Sequence, residues 1–400
     1  MSARHWIAVL VCAAASAQTL PPWTPGTLDI HQISTGRGNA AFFILPDGTT
    51  LLVDAGAAGN GLPETDPHPD ATRTPGAWIR RYIGRHAPDV TEIDYAVITH
   101  FHPDHMGQVT PASPMDRSGK YRLTGITEVD EALPIRTLID RGWPDYKYPV
   151  PLTDSMVENY RRFIDTRKAR GLTLERFRPG SAGQIRLRRD PGKYPAFEIR
   201  NIVANGEVWT GSGEATRQIF PALATLPQAD FPSENMCSIG FRLAYGRFRY
   251  FTGGDLPGTA DPGFPAWNAV ESAIGPVIGR VDVHVVNQHG SMGEGSDTFL
   301  QALQSAVLII PSWAPSHPAP DVLKRIINSR LPPAKRYVFA TDLRDAARIV
   351  IGQRATQLAG PAGHIVVRVE AGGDRYRVFV LDNRDERDAV LATVGPIPAG

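Results

Sequence analysis

Residues 95–107, YAVITHFHPDHMG, constrain this chain more than any other stretch. The apolar run Ala96-Val97-Ile98 has the character of a strand buried on both faces. It breaks into three histidines and an aspartate within six residues: His100, His102, Asp104 and His105. His100 and His102 stand two apart, so extended backbone projects them to one side. Asp104 and His105 are adjacent and diverge, which suits a second centre beside the first. Neutral imidazoles and a carboxylate are the ligands that zinc and other borderline divalent ions favour. The alternative is a polar, His-rich surface loop, but loops rarely place four ligand-type residues directly after a buried strand.

Later segments offer partners for this run. Residues 237–245 and 247–252 read as a hairpin turning at Gly246 and leading into Gly253-Gly254-Asp255. Two glycines let the backbone approach something closely while the Asp255 carboxylate points at it, although a plain turn would look the same. Residues 281–287 form another buried strand, ending in Gln288-His289-Gly290-Ser291, so His289 stands at a strand end as His100 does. His284, inside that strand, reads as a satisfied core or sheet-face residue.

Earlier, residues 28–53 read as a pair of strands with an Asp47-Gly48 turn between two apolar runs, closed by Asp54-Ala55-Gly56. Asp54 is expected to bond loop amides near the metal rather than the metal itself. His68, in a polar Pro-rich loop, is expected to be solvated. Thr74-Pro75 opens a helix whose buried face is Trp78, Ile79, Tyr82 and Ile83. Residues 154–170 are a charged helix candidate. After residue 305 strands and helices alternate, a layered α/β architecture with both faces covered. His364, at the start of a late strand, reads as structural.

The chain has 400 residues and a formal net charge of +1, so no global field recruits nucleic acid or an anionic membrane. Residues 1–17 read as a signal peptide: Arg4, then a short apolar run, then the A-x-A site Ala15-Ser16-Ala17. The run is too short to span a bilayer, and the expected location is periplasmic or extracellular. Cleavage would remove Cys12 and leave Cys237 with no internal disulfide partner. Residues 18–400 are expected to form a single domain. Within it, residues 110–233 contain no histidine and a loose pattern, and read as an insertion or lid beside the site.

With these residues in view, THFHPDHMG resembles the HxHxDH signature of the metallo-β-lactamase superfamily. The order of DAG, HxHxDH, GD and a strand-end histidine is also that family's, over roughly residues 28–382. Within it the pattern is most similar to the hydrolase domain of ComEC-type DNA-uptake proteins, through Asn235 and Ser238 before TGGD, His289-Gly290-Ser291, and His317-Pro318. The resemblance implies a four-layer αββα sandwich with a metal site between the two central sheets. It implies the metal ligands His100, His102, Asp104, His105, Asp255 and His289, with Asp255 bridging two ions. One departure stands out: no histidine lies between His105 and His284. The first site would have to be completed by His100, His102, Asp255, water and Asn235, which leaves it open.

The resulting expectation is an exported hydrolase using hydroxide bound to one or two Zn2+ ions, with Mn2+ or iron as other occupants. Asp104 would orient the attacking group, and His317 would contact the developing oxyanion or protonate the leaving group. The expected substrate is a small molecule, a phosphodiester or a cyclic ester, without the basic track that long nucleic acid needs. Alternatives are hydrolysis of β-lactam or lactone rings, an iron-dependent redox member, and a metal-binding module without turnover.

Overall fold

The computed structural model describes residues 18–59, 65–260 and 262–400; the expected signal peptide lies outside them. The first sheet takes β1 (Leu28–Gln32), β2 (Ala41–Ile44), β3 (Thr50–Val53), β4 (Ile93–Val97), β5 (Ile135–Asp140) and β6 (Thr173–Arg176). The second takes β7 (Phe197–Ala204), β8 (Glu207–Trp209), β9 (Thr216–Gln218), β10 (Gly240–Tyr245), β11 (Phe248–Thr252), β12 (Val283–Val285), β13 (Val307–Ile310) and β14 (Tyr337–Ala340). The chain then returns to the first sheet with β15 (His364–Val369), β16 (Arg375–Leu381) and β17 (Val390–Pro398). The strand orders are β17-β16-β15-β1-β2-β3-β4-β5-β6 and β14-β13-β12-β11-β10-β7-β8-β9.

Strand character explains the layering. In β4, Tyr95 and Val97 point into the core between the sheets, where they join Phe43, Phe241, Tyr250, Val283 and Ile309. Ala96 and Ile98 point the other way, under helices. A strand covered on both faces has no polar side to alternate with, hence the continuous apolar run. The first sheet is covered by α1 (Pro75–His86), α3 (Gly125–Ala132) and α4 (Ser155–Lys168), with the short α2 (Pro103–Met106) between α1 and α3 in sequence. The second is covered by α5 (Val270–Ile278) and α6 (Asp297–Leu303), and beside them α7 (Pro320–Asn328) and α8 (Asp345–Ile351). The result is the expected αββα sandwich.

The helix ends follow local chemistry. Thr74 caps α1 by accepting from the Ala77 amide at 3.4 Å, Pro75 takes the first turn, and Trp78, Ile79, Tyr82 and Ile83 are buried as expected. Asp154 caps α4 through the amides of Met156 (3.0 Å) and Val157 (2.9 Å). Residues 110–233 are woven through the sandwich. They supply α3, β5, α4 and β6 to one side and β7, β8 and β9 to the other. Their pattern is loose because β6 and β9, at the sheet edges, are partly exposed. No described helix is long and apolar enough to cross a membrane.

Candidate metal centre

The strands β3, β4 and β5 run parallel, as do β11, β12, β13 and β14. The carboxyl ends of such strands are where α/β folds gather ligands. Asp54 follows β3, His100 to His105 follow β4, Asp255 follows β11, His289 follows β12 and His317 follows β13.

The DAG turn is the mould for the histidine run. Ala55 donates its amide to the His105 carbonyl at 2.8 Å, Ala57 to Pro103 at 3.0 Å, and Asn39 to Asp104 at 2.7 Å. A Cβ on Gly56 would come within 1.9 Å of the Asp104 carbonyl oxygen, so only glycine lets the two loops close. Asp54 holds a left-handed backbone (φ 61°) and gathers four donors: the Thr99 amide (2.8 Å) and hydroxyl (2.9 Å), Asn39 Nδ2 (2.9 Å) and His105 Nδ1 (2.8 Å). It therefore orients the His105 ring as well as a loop amide.

Three groups of described side chains could hold a metal ion, with the donor atoms of each within 4.8 Å of one another: first His100, His102 and Asp255, second Asp104, His105, Asp255 and His289, and, apart from these strand ends, Asp66, His68 and Asp342. In the second group, Asp54 accepts at His105 Nδ1 and the Pro311 carbonyl accepts at His289 Nδ1 (2.9 Å). Carboxylates and carbonyls only accept, so both Nδ1 atoms carry the protons. The two Nε2 atoms are left facing each other 3.2 Å apart. Asp255 Oδ1 lies 3.1 Å from His105 Nε2, and Asp104 Oδ2 lies 2.9 Å from His289 Nε2. Adjacent on α2, Asp104 and His105 thus converge, with Asp104 Oδ2 3.6 Å from His105 Nε2.

Two lone pairs between two carboxylates require a positive charge. Burial disfavours a proton on either ring, yet Asp255 and Asp104 outweigh it and push both histidines up. Burial likewise opposes ionisation of Asp104 and Asp255, and the nearby histidines outweigh it and hold both carboxyls down. A divalent ion would supply the same charge and release the protons. Asp255 Oδ1 is moreover buried with no hydrogen-bond partner among the described residues. The donor set fits a metal.

In the first group, Thr99 Oγ1 donates to Asp54 and so accepts from His100 Nδ1 at 3.2 Å. His100 Nε2 is left 3.0 Å from His102 Nδ1 and 3.7 Å from Asp255 Oδ2. Burial and the neighbouring His105 push His100 well down, which keeps it neutral. Asn235 Oδ1 is buried and unpartnered among the described residues.

His289 holds its place through a left-handed backbone (φ 57°), as does Gln288 before it (φ 46°), a conformation that costs a non-glycine residue about 1–3 kcal/mol. His317 stacks on the His289 ring at 5.0 Å with 18° between planes. Burial and His289 push it down to about 3, so it is neutral at pH 7.

Three of the other described histidines differ in their surroundings. His364 Nδ1 accepts the Ser34 amide at 3.0 Å. His68 packs against Asp342, Nε2 to Oδ2 3.4 Å, instead of lying free in solvent. His284 is core but not satisfied. It is fully buried, its ring meets Phe299 edge-on at 5.5 Å, and neither nitrogen has a partner among the described residues. Burial pushes it down to about 3. A depressed histidine leaves stability intact above the unfolded value near 6.5 and removes it as pH falls toward the folded value. His284→Leu should therefore gain about 2 kcal/mol over wild type between pH 7 and pH 5. Urea melts of both proteins at the two pH values check this; parallel pH dependence would mean that the ring is paired or hydrated.

Sequence reasoning did not single out Thr99, Asn39 or Trp313, nor the pair Arg141 and Glu234. Only Thr99, next to the histidine run, carried a local signal. Cys237 is buried and unpaired, its thiol pushed up to about 12 chiefly by burial.

Residues 34–111 match the family model described as the Metallo-beta-lactamase superfamily. No curated protein matches the chain. Among solved structures, a mutant of the β-hydroxylase CmlA is 13% identical with a TM-score of 0.41 over 80% of this chain and 53% of that one. The chain thus spans about half the length of that hydroxylase. Human tRNase Z, short form, is 9% identical (TM-score 0.33, 70% of this chain, 91% of that one). MEM-A1, a subclass B3 metallo-β-lactamase from a soil metagenome library, is 14% identical (TM-score 0.32, 76% and 81%). The matched stretch carries Asp54 and the run from His100 to His105.

Proposed function

We propose that the chain is an exported, metal-dependent hydrolase acting on phosphodiesters or cyclic esters. The observation that carries the hydrolase reading is the convergence of His105 Nε2 and His289 Nε2 at 3.2 Å between the carboxylates of Asp104 and Asp255. A divalent ion held there, Zn2+ by ligand type, would lower the pKa of water from 15.7 toward about 7 and polarise the electrophile. The chain's own residues do the rest. Asp54 and the Pro311 carbonyl fix the ring tautomers, so that the Nε2 lone pairs face inward. Asp104 stays ionised and partly exposed, where it can accept a hydrogen bond from the attacking water. His317, neutral at pH 7, acts as a hydrogen-bond donor to a substrate oxygen rather than as an acid.

The substrate class is supported by the likeness of Asn235, Ser238, Asp255, His289 and His317 to the ComEC-type pattern. Export is supported by Arg4, the apolar run and Ala15-Ser16-Ala17, which lie outside the described residues. Purified chain loaded with Zn2+ is expected to cleave bis(p-nitrophenyl) phosphate and not a chromogenic β-lactam. Turnover of the β-lactam alone would overturn the substrate class. Iron found in protein purified without added metal would replace the hydrolase by a redox enzyme.

A further inference from the structure

The loop leaving β13 carries a feature that metal binding does not use. Trp313 lies edge-to-face with the two stacked imidazoles, 6.0 Å and 84° from His289, 5.5 Å and 81° from His317. Its Nε1 is buried and has no acceptor among the described residues. His317 Nδ1, on a residue only 7% exposed, is likewise buried and unpartnered. An indole N–H can only donate, and a buried donor left unmatched is costly, so native proteins match nearly all of them.

The loop cannot readily turn the indole away. Ser312 is tied to β14's end by the Thr341 hydroxyl (2.8 Å, to its carbonyl) and the Asp342 amide (3.2 Å, to its hydroxyl). On the far side, the His317 amide bonds Ala314 at 3.0 Å and the Ala319 amide bonds Gly290 at 2.8 Å. The nearest ligand ring, His289, already has Nδ1 committed to Pro311. An acceptor from outside the chain would match the indole N–H, and with its proton on Nδ1 the His317 ring would donate to that same acceptor.

We propose that Trp313 Nε1 and His317 Nδ1 form a subsite for an anionic oxygen of the substrate, a phosphoryl or carboxylate oxygen, beside the metal ligands. Trp313 is thereby a specificity-determining residue. The proposal rests on the hydrolase reading only for what the bound anion is part of.

The test is calorimetric titration of orthophosphate and of acetate into the Zn2+-loaded full chain and its Trp313→Phe variant, with zinc content and melting point recorded for both. The variant should bind orthophosphate about tenfold more weakly, at unchanged zinc content, if the site takes a phosphoryl group. A loss confined to acetate assigns it to a carboxylate. Affinities within twofold of wild type for both anions, or no binding of either by wild type, overturn the proposal. Should the phenylalanine variant not fold, the benzothienyl isostere at the same position keeps the two-ring shape without the N–H and is read by the same thresholds. Phosphodiester turnover is followed in parallel. Lost anion affinity without wild-type turnover refutes the hydrolase reading and leaves the subsite standing, whereas turnover with unchanged affinities does the reverse.

Discussion

Asp255→Asn is expected to abolish phosphodiester turnover and to lower metal affinity by at least about 100-fold, since even residues behind the ligands are worth 10–100-fold. Asp255 is the one residue shared by the two groups that gather at the strand ends. Its Oδ1 faces His105 Nε2 at 3.1 Å and His289 Nε2 at 3.6 Å, and its Oδ2 faces His100 Nε2 at 3.7 Å. An amide there keeps the shape and one acceptor oxygen, but it loses the charge and turns an N–H2 group toward nitrogens that are meant to bind a cation. The backbone has reasons of its own to stay in place. Ser238 Oγ accepts the Asp255 amide at 3.2 Å, and Gly254 (φ 57°) sits where a Cβ would lie 2.9 Å from Thr99. Circular dichroism of the variant should therefore match wild type while metal analysis shows the loss. Wild-type stoichiometry in Asp255→Asn would reduce Gly253-Gly254-Asp255 to a turn.

What the sequence reveals here is what short-range patterns can encode. A doubly covered strand must be apolar throughout, so β4 shows itself, and the candidate ligands at its end follow within a few residues. Asp54, Asp255 and His289 are readable for the same reason, each closing a strand with glycine nearby. Contacts across the sandwich leave no such trace. His284 looks like any sheet histidine until Phe299 and the absence of hydrogen-bond partners among the described residues are known. Within residues 110–233, β6, β8 and β9 run only three or four residues and the edge ones, β6 and β9, are partly exposed, so no strand period rises above the loop residues around them. β17, with Gly395 and Pro396 inside it, breaks the composition expected of a strand and escapes notice on an edge, where proline is tolerated.

The least visible feature from sequence carries the largest expected loss of stability. Arg141 and Glu234 are 93 residues apart in sequence, yet Glu234 Oε1 accepts from Arg141 Nε at 2.8 Å while Oε2 accepts from Nη2. Arg141 is buried, bonding Asn205 Oδ1 at 3.0 Å and the Tyr148 carbonyl at 3.1 Å, and its guanidinium lies 5.0 Å from the centroid of the Phe101 ring. Glu234 Oε1 also accepts the Phe101 amide at 2.8 Å. Phe101 is the residue between His100 and His102, so the ion pair grips that loop by main chain and side chain together. Glu234→Ala would strand a buried guanidinium, which costs about 3–5 kcal/mol. Glu234→Gln should cost less, because its carbonyl oxygen still accepts from Phe101. Urea denaturation at pH 7 of metal-free protein gives the stability difference, and Zn2+ titration against a chelator shows whether the His100–His102 group loosens with it. A loss under about 1 kcal/mol in Glu234→Ala would mean that water reaches Arg141 and that the pair is an exposed one. Equal losses in Ala and Gln would mean that the charge alone matters and that the Phe101 amide does not depend on this carboxylate.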